Sequence, residues 1–293
     1  MMDLNEIPSH LNGPALVAGL AGLGLILGVL TGLFGVGGAF LMNPLLNAVL
    51  GIPYPLVTGS SLGFVLGNSS GAWAKHMRLG NVSVKMMLIM AGAASCGTIL
   101  GADVQAHLNA ACGEKVFTLI MHALFILLLL SIAGLIWRAP GDLAGRRVFL
   151  QRLPLPPRVD IASAHLSGVS LPGLCALGLL VGVVAGFFGV GGGVLFVPAM
   201  MLLAGLEVRL AIGTSLGVML FCSLTGAIIY GMKGEATLWI IMPLLVGSSV
   251  GVQVGTALCQ RLHAGRLRRG FAILVLLVAG YIGIDFAMKL REL

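Results

Sequence analysis

Long apolar runs, rather than short alternating ones, organise this chain. Leu16–Phe34 holds no charged residue, Val116–Trp137 holds none beyond the titratable His122, and residues 171–206 hold none at all. Runs of about 18 or more such residues predict helices that cross a membrane. Ten segments emerge, near 15–35, 38–51, 55–74, 84–103 and 116–137, then near 170–188, 192–206, 210–231, 238–258 and 270–288. The second of each five is too short to cross about 30 Å of hydrocarbon, which takes roughly 20 helical residues. The expected fold is all-α: a polytopic integral membrane protein with 8–10 membrane segments.

The two sets of five are copies. Gly32-Leu33-Phe34-Gly35-Val36-Gly37-Gly38 returns as Gly186-Phe187-Phe188-Gly189-Val190-Gly191-Gly192, an offset of 154 residues. The same offset carries Pro44 onto Pro198 and Gly59-Ser60-Ser61-Leu62-Gly63 onto Gly213-Thr214-Ser215-Leu216-Gly217. It continues without a gap through Gly80 and Gly234, Gly97 and Gly251, Gly101 and Gly255, to Phe117 and Phe271. Chance glycine matches do not hold one register for so long. The chain therefore divides into an N-terminal tail (1–14), a first transmembrane repeat (15–137), a connector (138–167) and a second transmembrane repeat (168–290).

Composition and charge sharpen this picture. Of the 293 residues, 58% are hydrophobic and 9% charged, against about 25% charged in soluble domains. The 44 glycines suit helices that approach closely in lipid, or helices broken where a cavity is built. The formal net charge of +7 sits in short loops, which points to topology and gives no reason to expect nucleic acid. Cys96, Cys112, Cys175, Cys222 and Cys259 show no metal-pair spacing and are taken as small packing residues. No basic n-region or cleavage site opens the chain, so no signal peptide is expected.

Basic loops mark the cytoplasmic side. The connector carries Arg138, Arg146, Arg147, Arg152 and Arg158, so it is expected inside, whereas the tail has Asp3 and Glu6 and no Lys or Arg. The loop after the third segment is basic in the first half (Lys75, Arg78, Lys85) and balanced in the second (Lys233, Glu235). The loop after the fourth segment has Asp103, Glu114 and Lys115 in the first half and Arg261, Arg266, Arg268 and Arg269 in the second. A bias that changes sides implies two inverted repeats, with both termini periplasmic and the connector cytoplasmic. A parallel four-plus-four arrangement is the competing topology.

The glycine elements carry the candidate chemistry. Irregular backbone at membrane depth is tolerated where it is buried in protein or lines a wet cavity. Glycine allows positive φ and leaves its N–H uncovered. A helix starting after the break would aim its N-terminus, with free N–H groups and a positive dipole end, at an anion. Gly35, Gly37 and Gly38, with Gly189, Gly191, Gly192 and Gly193, are therefore candidate substrate-binding residues; simple close packing is the plainer alternative. Ser60, Ser61, Thr214 and Ser215, together with Thr58, place hydroxyls at the start of the third segments, for substrate or for interhelical hydrogen bonds. Asn43 joins them, and Asn68 and Gln253 are further polar candidates. His122 lies inside a span and is a candidate for proton coupling, or else a packed neutral side chain. Asp285 lies near the end of the last span, within reach of the interface. The glycine string has the outline of a dinucleotide fingerprint but lacks its strand and following acid. No catalytic residue, metal site or cofactor is assigned.

The paired Gly-x-x-Gly-x-Gly-Gly elements, each followed by a proline and then Gly-Ser/Thr-Ser-Leu, resemble the sulfite exporter TauE/SafE family, also called TSUP. The resemblance covers both halves. It implies a transporter of the bacterial inner membrane whose substrates are sulfite, thiosulfate, sulfoacetate or other sulfur-containing anions and organosulfonates. Ala39 stands where the second copy has Gly193, and Asn43 where it has Val197, so the implied site is asymmetric. The leading expectation is thus a secondary transporter, acting as an exporter, not an enzyme. Its partners would be the anion and the lipid bilayer, with a homo-oligomer left open. The alternatives are a membrane-embedded transferase acting on a lipid-linked phosphate, which would need acidic clusters for a metal, and an anion channel.

Overall fold

The computed structural model describes residues 14–138, 149–152, 155–161 and 166–291. The tail up to residue 13 and most of the connector lie outside the described residues. The first half holds α1 (Pro14–Phe34), α2 (Ala39–Leu50), α3 (Tyr54–Arg78), α4 (Val84–Cys112) and α5 (Glu114–Arg138). The connector shows a single helical turn, α6 (Phe149–Arg152), and a hairpin of β1 (Arg158–Ile161) and β2 (Leu166–Ser170). The second half holds α7 (Leu171–Phe188), α8 (Gly193–Leu203), α9 (Val208–Met232), α10 (Leu238–Arg261) and α11 (Ala264–Arg291).

The protein is an all-α polytopic membrane protein. Among the described residues, seven helices (α1, α4, α5, α7, α9, α10 and α11) are long and apolar enough to cross a bilayer. At 25 residues α3 has the length as well. It is less apolar because Thr58, Ser60, Ser61, Asn68, Ser69 and His76 are all buried against other helices. The short α2 and α8, 12 and 11 residues, extend only about 17–18 Å.

Helix ends follow backbone chemistry more than hydropathy. The fourth segment, expected to stop near 103, continues as helix to Cys112. No glycine or proline interrupts 102–112, and Gly113 at φ 73° ends it. The last segment, expected from 270, starts at Ala264 and carries Arg266, Arg268 and Arg269 in its first turns. The hairpin had no sequence signal, and its second strand runs into the segment assigned to the second repeat. Its last residue, Ser170, accepts from Gly173 N at 3.2 Å and so caps α7.

Glycine ladders set the packing. A Cβ on Gly24, Gly28 or Gly32 of α1 would lie 2.1, 2.5 and 2.6 Å from the carbonyl oxygens of Leu244, Ser248 and Val252 of α10. Positions rise together along both helices, so α1 and α10 are parallel and in backbone contact. Gly178, Gly182 and Gly186 of α7 meet Met90, Ala94 and Thr98 of α4 in the same way, at 2.8, 2.2 and 2.2 Å. Under the 154-residue offset these two pairs exchange. The equivalent helices α3 and α9 pack antiparallel: Gly59 lies against Glu235, Gly226 against Leu62, and Gly213 against Asn81. The equivalents α5 and α11 also pack on each other. Each half thus has its main packing partners in the other half.

Candidate functional site

Both glycine elements break the chain sharply. Gly35, Gly37 and Gly38 take φ of 70°, 73° and 80°, and Gly189, Gly191 and Gly192 take 67°, 68° and 82°. A side chain is strained in that region, by roughly 1–2 kcal/mol per residue. The breaks end α1 and α7 and start α2 and α8, with Gly38 and Gly192 as the N-caps. The first amides of α2 and α8 lack carbonyl partners within their own helices. The described residues of both breaks are buried in protein, so neither cluster faces the lipid.

The two breaks meet at the centre of the molecule. A Cβ on Gly193 would lie 2.7 Å from the backbone of Val36, so one break touches the other. Two equivalent residues of the third helices, Val65 and Met219, stand between them. A Cβ on Gly37 would meet Met219 Cε at 2.2 Å and Val65 Cγ1 at 3.3 Å; on Gly191 it would meet Val65 Cγ1 at 2.8 Å and Met219 Cε at 3.6 Å. Sequence reasoning missed both residues. An apolar side chain in an apolar run carries no signal of a central position.

The polar candidates fall into two groups. Asn43, Ser61 and Ser215 bond the breaks themselves. Ser215 Oγ donates to Gly35 O at 3.3 Å and to Ile212 O at 2.8 Å. At the equivalent junction Ser61 Oγ donates to Asn43 Oδ1, and Asn43 Nδ2 donates to Phe188 O, the last carbonyl of α7. Asn43 thus links Ser61 to the end of α7 on one side, whereas Ser215 bonds the first break directly on the other. Asn68 Nδ2 donates to Thr31 Oγ1 at 2.7 Å and to Gly37 O at 3.3 Å.

Ser60, Thr214 and Thr58 serve interhelical structure. Ser60 Oγ accepts from Thr237 N and Thr214 Oγ1 from Ser83 N, both at 3.0 Å, holding the N-termini of α10 and α4. Thr58 Oγ1 accepts from Gln105 Nε2 at 3.0 Å. Gln105 in turn takes the Tyr230 hydroxyl at 2.6 Å, and that hydroxyl also reaches Gly186 O at 2.9 Å. At the position equivalent to Tyr230, the buried His76 brings Nε2 to 3.3 Å from Gly32 O. Gln253 is exposed and bonds Lys75 Nζ at 3.1 Å, away from the breaks.

A narrow cleft, with room for about 20 Å³, adjoins the first break. Phe34, Val197, Pro198, Val208, Ile212 and Phe271 line it, and its surface is apolar. A Cβ on Gly35 would touch Ile212 at 2.9 Å, which connects cleft and break. The equivalent positions in the other half are Phe188, Asn43, Pro44, Tyr54, Thr58 and Phe117. There Tyr54 replaces Val208 and Asn43 replaces Val197. The Tyr54 ring packs edge-on against Phe117 at 6.4 Å and against His122 at 5.4 Å, filling that side.

His122 and Asp285 come together. His122 Nε2 lies 2.9 Å from Asp285 Oδ2, with the imidazole fully buried. The expectation that Asp285 reaches the interface fails, since its carboxylate turns inward to α5. Among the described residues no three His, Cys, Asp or Glu side chains gather as a metal would require.

Helices broken by glycine at depth, joined head to head inside a bundle of apolar spans, define a polytopic membrane protein of transporter type. Residues 20–282 match the family described as "Sulfite exporter TauE/SafE". The chain belongs to that family. It is 27% identical over 231 residues to the "Probable membrane transporter protein YdhB" of Bacillus subtilis (strain 168), covering 78% of this chain and 85% of that protein. It is 28% identical over 264 residues to a "Probable membrane transporter protein" of Xylella fastidiosa (strain 9a5c), covering 89% and 92%. A second Bacillus subtilis relative, "Probable membrane transporter protein YjnA", is 29% identical over 262 residues, covering 87% and 94%. No solved structure gives a significant match.

Proposed function

We propose that this membrane transporter is a secondary exporter of small sulfur-containing anions, such as sulfite, thiosulfate or organosulfonates. The anion would bind where the two glycine breaks meet. The observation that carries this reading is the meeting of two buried helix N-termini, α2 and α8, across Val36 and Gly193. Uncovered amides and two positive dipole ends favour a compact negative charge there. In the structure Val65 and Met219 fill the crossing, so the anion enters by displacing them. The flexible methionine is the side chain suited to move.

The reading places the molecule in the bacterial inner membrane with the connector inside. Helix directions support this. The C-terminal ends of α3 and α10 lie on the connector's side, as Lys85 Nζ bonding Asp160 O at 2.9 Å and Arg209 bonding Gln260 O at 2.9 Å indicate. Lys75, Arg78, Lys85, Arg158, Arg209, Arg261, Arg266, Arg268 and Arg269 therefore share one side, as the positive-inside bias requires. Equivalent helices of opposite direction then make the halves inverted repeats, with the cleft open toward the cytoplasm.

Purified protein in proteoliposomes tests the reading. Saturable flux and counterflow are expected for sulfite, thiosulfate or sulfoacetate, measured beside taurine and sulfate. Gly37→Leu combined with Gly191→Leu should abolish flux while leaving insertion intact. Normal flux in that double variant would refute the anion cradle.

A further inference from the structure

We propose that Asn68 is a specificity-determining residue of the anion site. Its side-chain oxygen selects singly charged sulfur oxyanions that carry a hydrogen-bond donor of their own, as hydrogensulfite or a hydroxylated organosulfonate does. This deepens the transport reading and rests on it for the anion. Asn68 lies on α3, one turn beyond Val65, and is only 2% exposed. Its Nδ2 donates to Thr31 Oγ1 at 2.7 Å and to Gly37 O at 3.3 Å. A carbonyl oxygen only accepts, so the nitrogen is the atom that faces Gly37, and the orientation of the amide is fixed. The Thr31 hydroxyl gives its own hydrogen to Leu27 O at 2.8 Å, so it too accepts from Asn68. Oδ1 is left on the other edge of the amide, buried, with no hydrogen-bond partner among the described residues. The oxygen and nitrogen of one amide lie about 2.2 Å apart. That keeps Oδ1 within about 5.5 Å of the Gly37 oxygen, at the first break.

The repeat isolates this feature. Under the 154-residue offset Asn68 corresponds to Cys222 and Thr31 to Ala185, both buried. The amide oxygen therefore belongs to the first break alone. Ser69, next along α3, is also buried and without a partner. Adjacent helical side chains diverge by about 100°, so it faces a different neighbour.

Charge decides what can meet the bare oxygen. A buried acceptor is costly to leave unsatisfied. The N-termini of α2 and α8 meet here, and their positive dipole ends repel a bare cation. They attract an anion, but an anion without a hydrogen brings one more lone pair against Oδ1. An anion with an O–H satisfies both sides: its charged oxygens take the amides and its hydrogen goes to Asn68. Val65 stands between the breaks with Met219. Asn68, one turn from Val65, borders the space that opens when they move. A site that presents such an acceptor discriminates against the analogue that lacks the hydrogen, because the acceptor is then stranded.

The test uses matched pairs of singly charged anions at one mildly acidic pH, where sulfite is held in its hydrogen form. Isethionate and ethanesulfonate differ by one hydroxyl; hydrogensulfite and methanesulfonate form the second pair. Each is titrated calorimetrically into purified wild type and into Asn68→Cys, which copies the second half at this position. Wild type should bind the donor-bearing member of at least one pair about tenfold more tightly, and Asn68→Cys should bind both members alike. A preference in the first pair places the donor on the organic group; a preference in the second places it on the sulfur oxyanion itself. Loss of the two Nδ2 bonds affects both members of a pair equally, so the ratio within a pair isolates Oδ1. Thermal unfolding checks that the variant is folded, and the wild-type ratios decide alone if it is not. Equal affinities within both pairs in wild type would overturn the proposal, as would an unchanged ratio in a folded variant. Absence of binding by all four anions would overturn the anion reading itself, and the proposal with it.

Discussion

Replacing Asn43 by valine turns the first half into a copy of the second at this position, where Val197 stands. The substitution removes the donor to Phe188 O and the acceptor for Ser61 Oγ. The Ser61 hydroxyl can turn to its own helix, as Ser215 does toward Ile212 O at 2.8 Å, so its loss is largely recovered. Phe188 O has no such recourse. It is the last carbonyl of α7, without an intrahelical donor, in a residue that is buried. A buried acceptor left bare costs about 1–3 kcal/mol. Interhelical hydrogen bonds in membranes average nearer 0.6 kcal/mol, with a maximum of about 1.7. The expected loss for Asn43→Val is therefore about 1–2 kcal/mol, or roughly 2–8 °C in midpoint. Thermal unfolding in detergent would measure it, with Ser61→Ala and the double variant completing a cycle. The double variant should be little worse than Asn43→Val alone, because Ser61 acts through the asparagine. An unchanged midpoint for Asn43→Val, or full additivity in the cycle, would refute the bridge.

Three further outcomes follow from the glycines and the plug between them. Gly189→Ala places a methyl 2.8 Å from Thr58 Cα at φ 67°, and should abolish flux; Gly51→Ala, at φ 65° with open space, should cost only about 1–2 kcal/mol and keep flux. Gly247→Ala drives a methyl to 1.8 Å from Ala21 O and should separate α1 from α10, seen as failed folding on size exclusion. Gly92→Ala has nothing within 4 Å and should be neutral or gain up to about 1 kcal/mol in thermal melts. Met219→Ala vacates the space between the breaks and should raise sulfoacetate flux relative to sulfite flux in liposomes; an unchanged ratio would show that Met219 does not gate the site.

Much of the fold was legible because lipid imposes uninterrupted apolar length on a spanning helix. The breaks were legible too, because glycine marks backbone that other residues cannot adopt. The other glycines were legible as close-packing residues, but which helices they join was not: Gly28 meets Ser248 and Gly182 meets Ala94, each in the opposite half. Hydroxyl residues side by side in sequence also part company in space: Ser61 bonds at the break, whereas its neighbour Ser60 caps another helix. A period of 3.6 residues turns adjacent side chains about 100° apart, so a Ser-Ser pair cannot share one target. The His122–Asp285 contact joins positions far apart in the chain that are not related by the repeat, so no local pattern announced it.

The cross-pairing of α1 with α10 and of α7 with α4 has a consequence for biogenesis. When the first five helices have left the ribosome, the grooved faces of α1 and α4 still wait for partners not yet synthesised. The nascent protein must hold a loose intermediate in the bilayer until α7 and α10 arrive and lock it. The same interdigitation means that cutting the connector should yield two fragments that are each unstable when expressed alone but reconstitute when co-expressed.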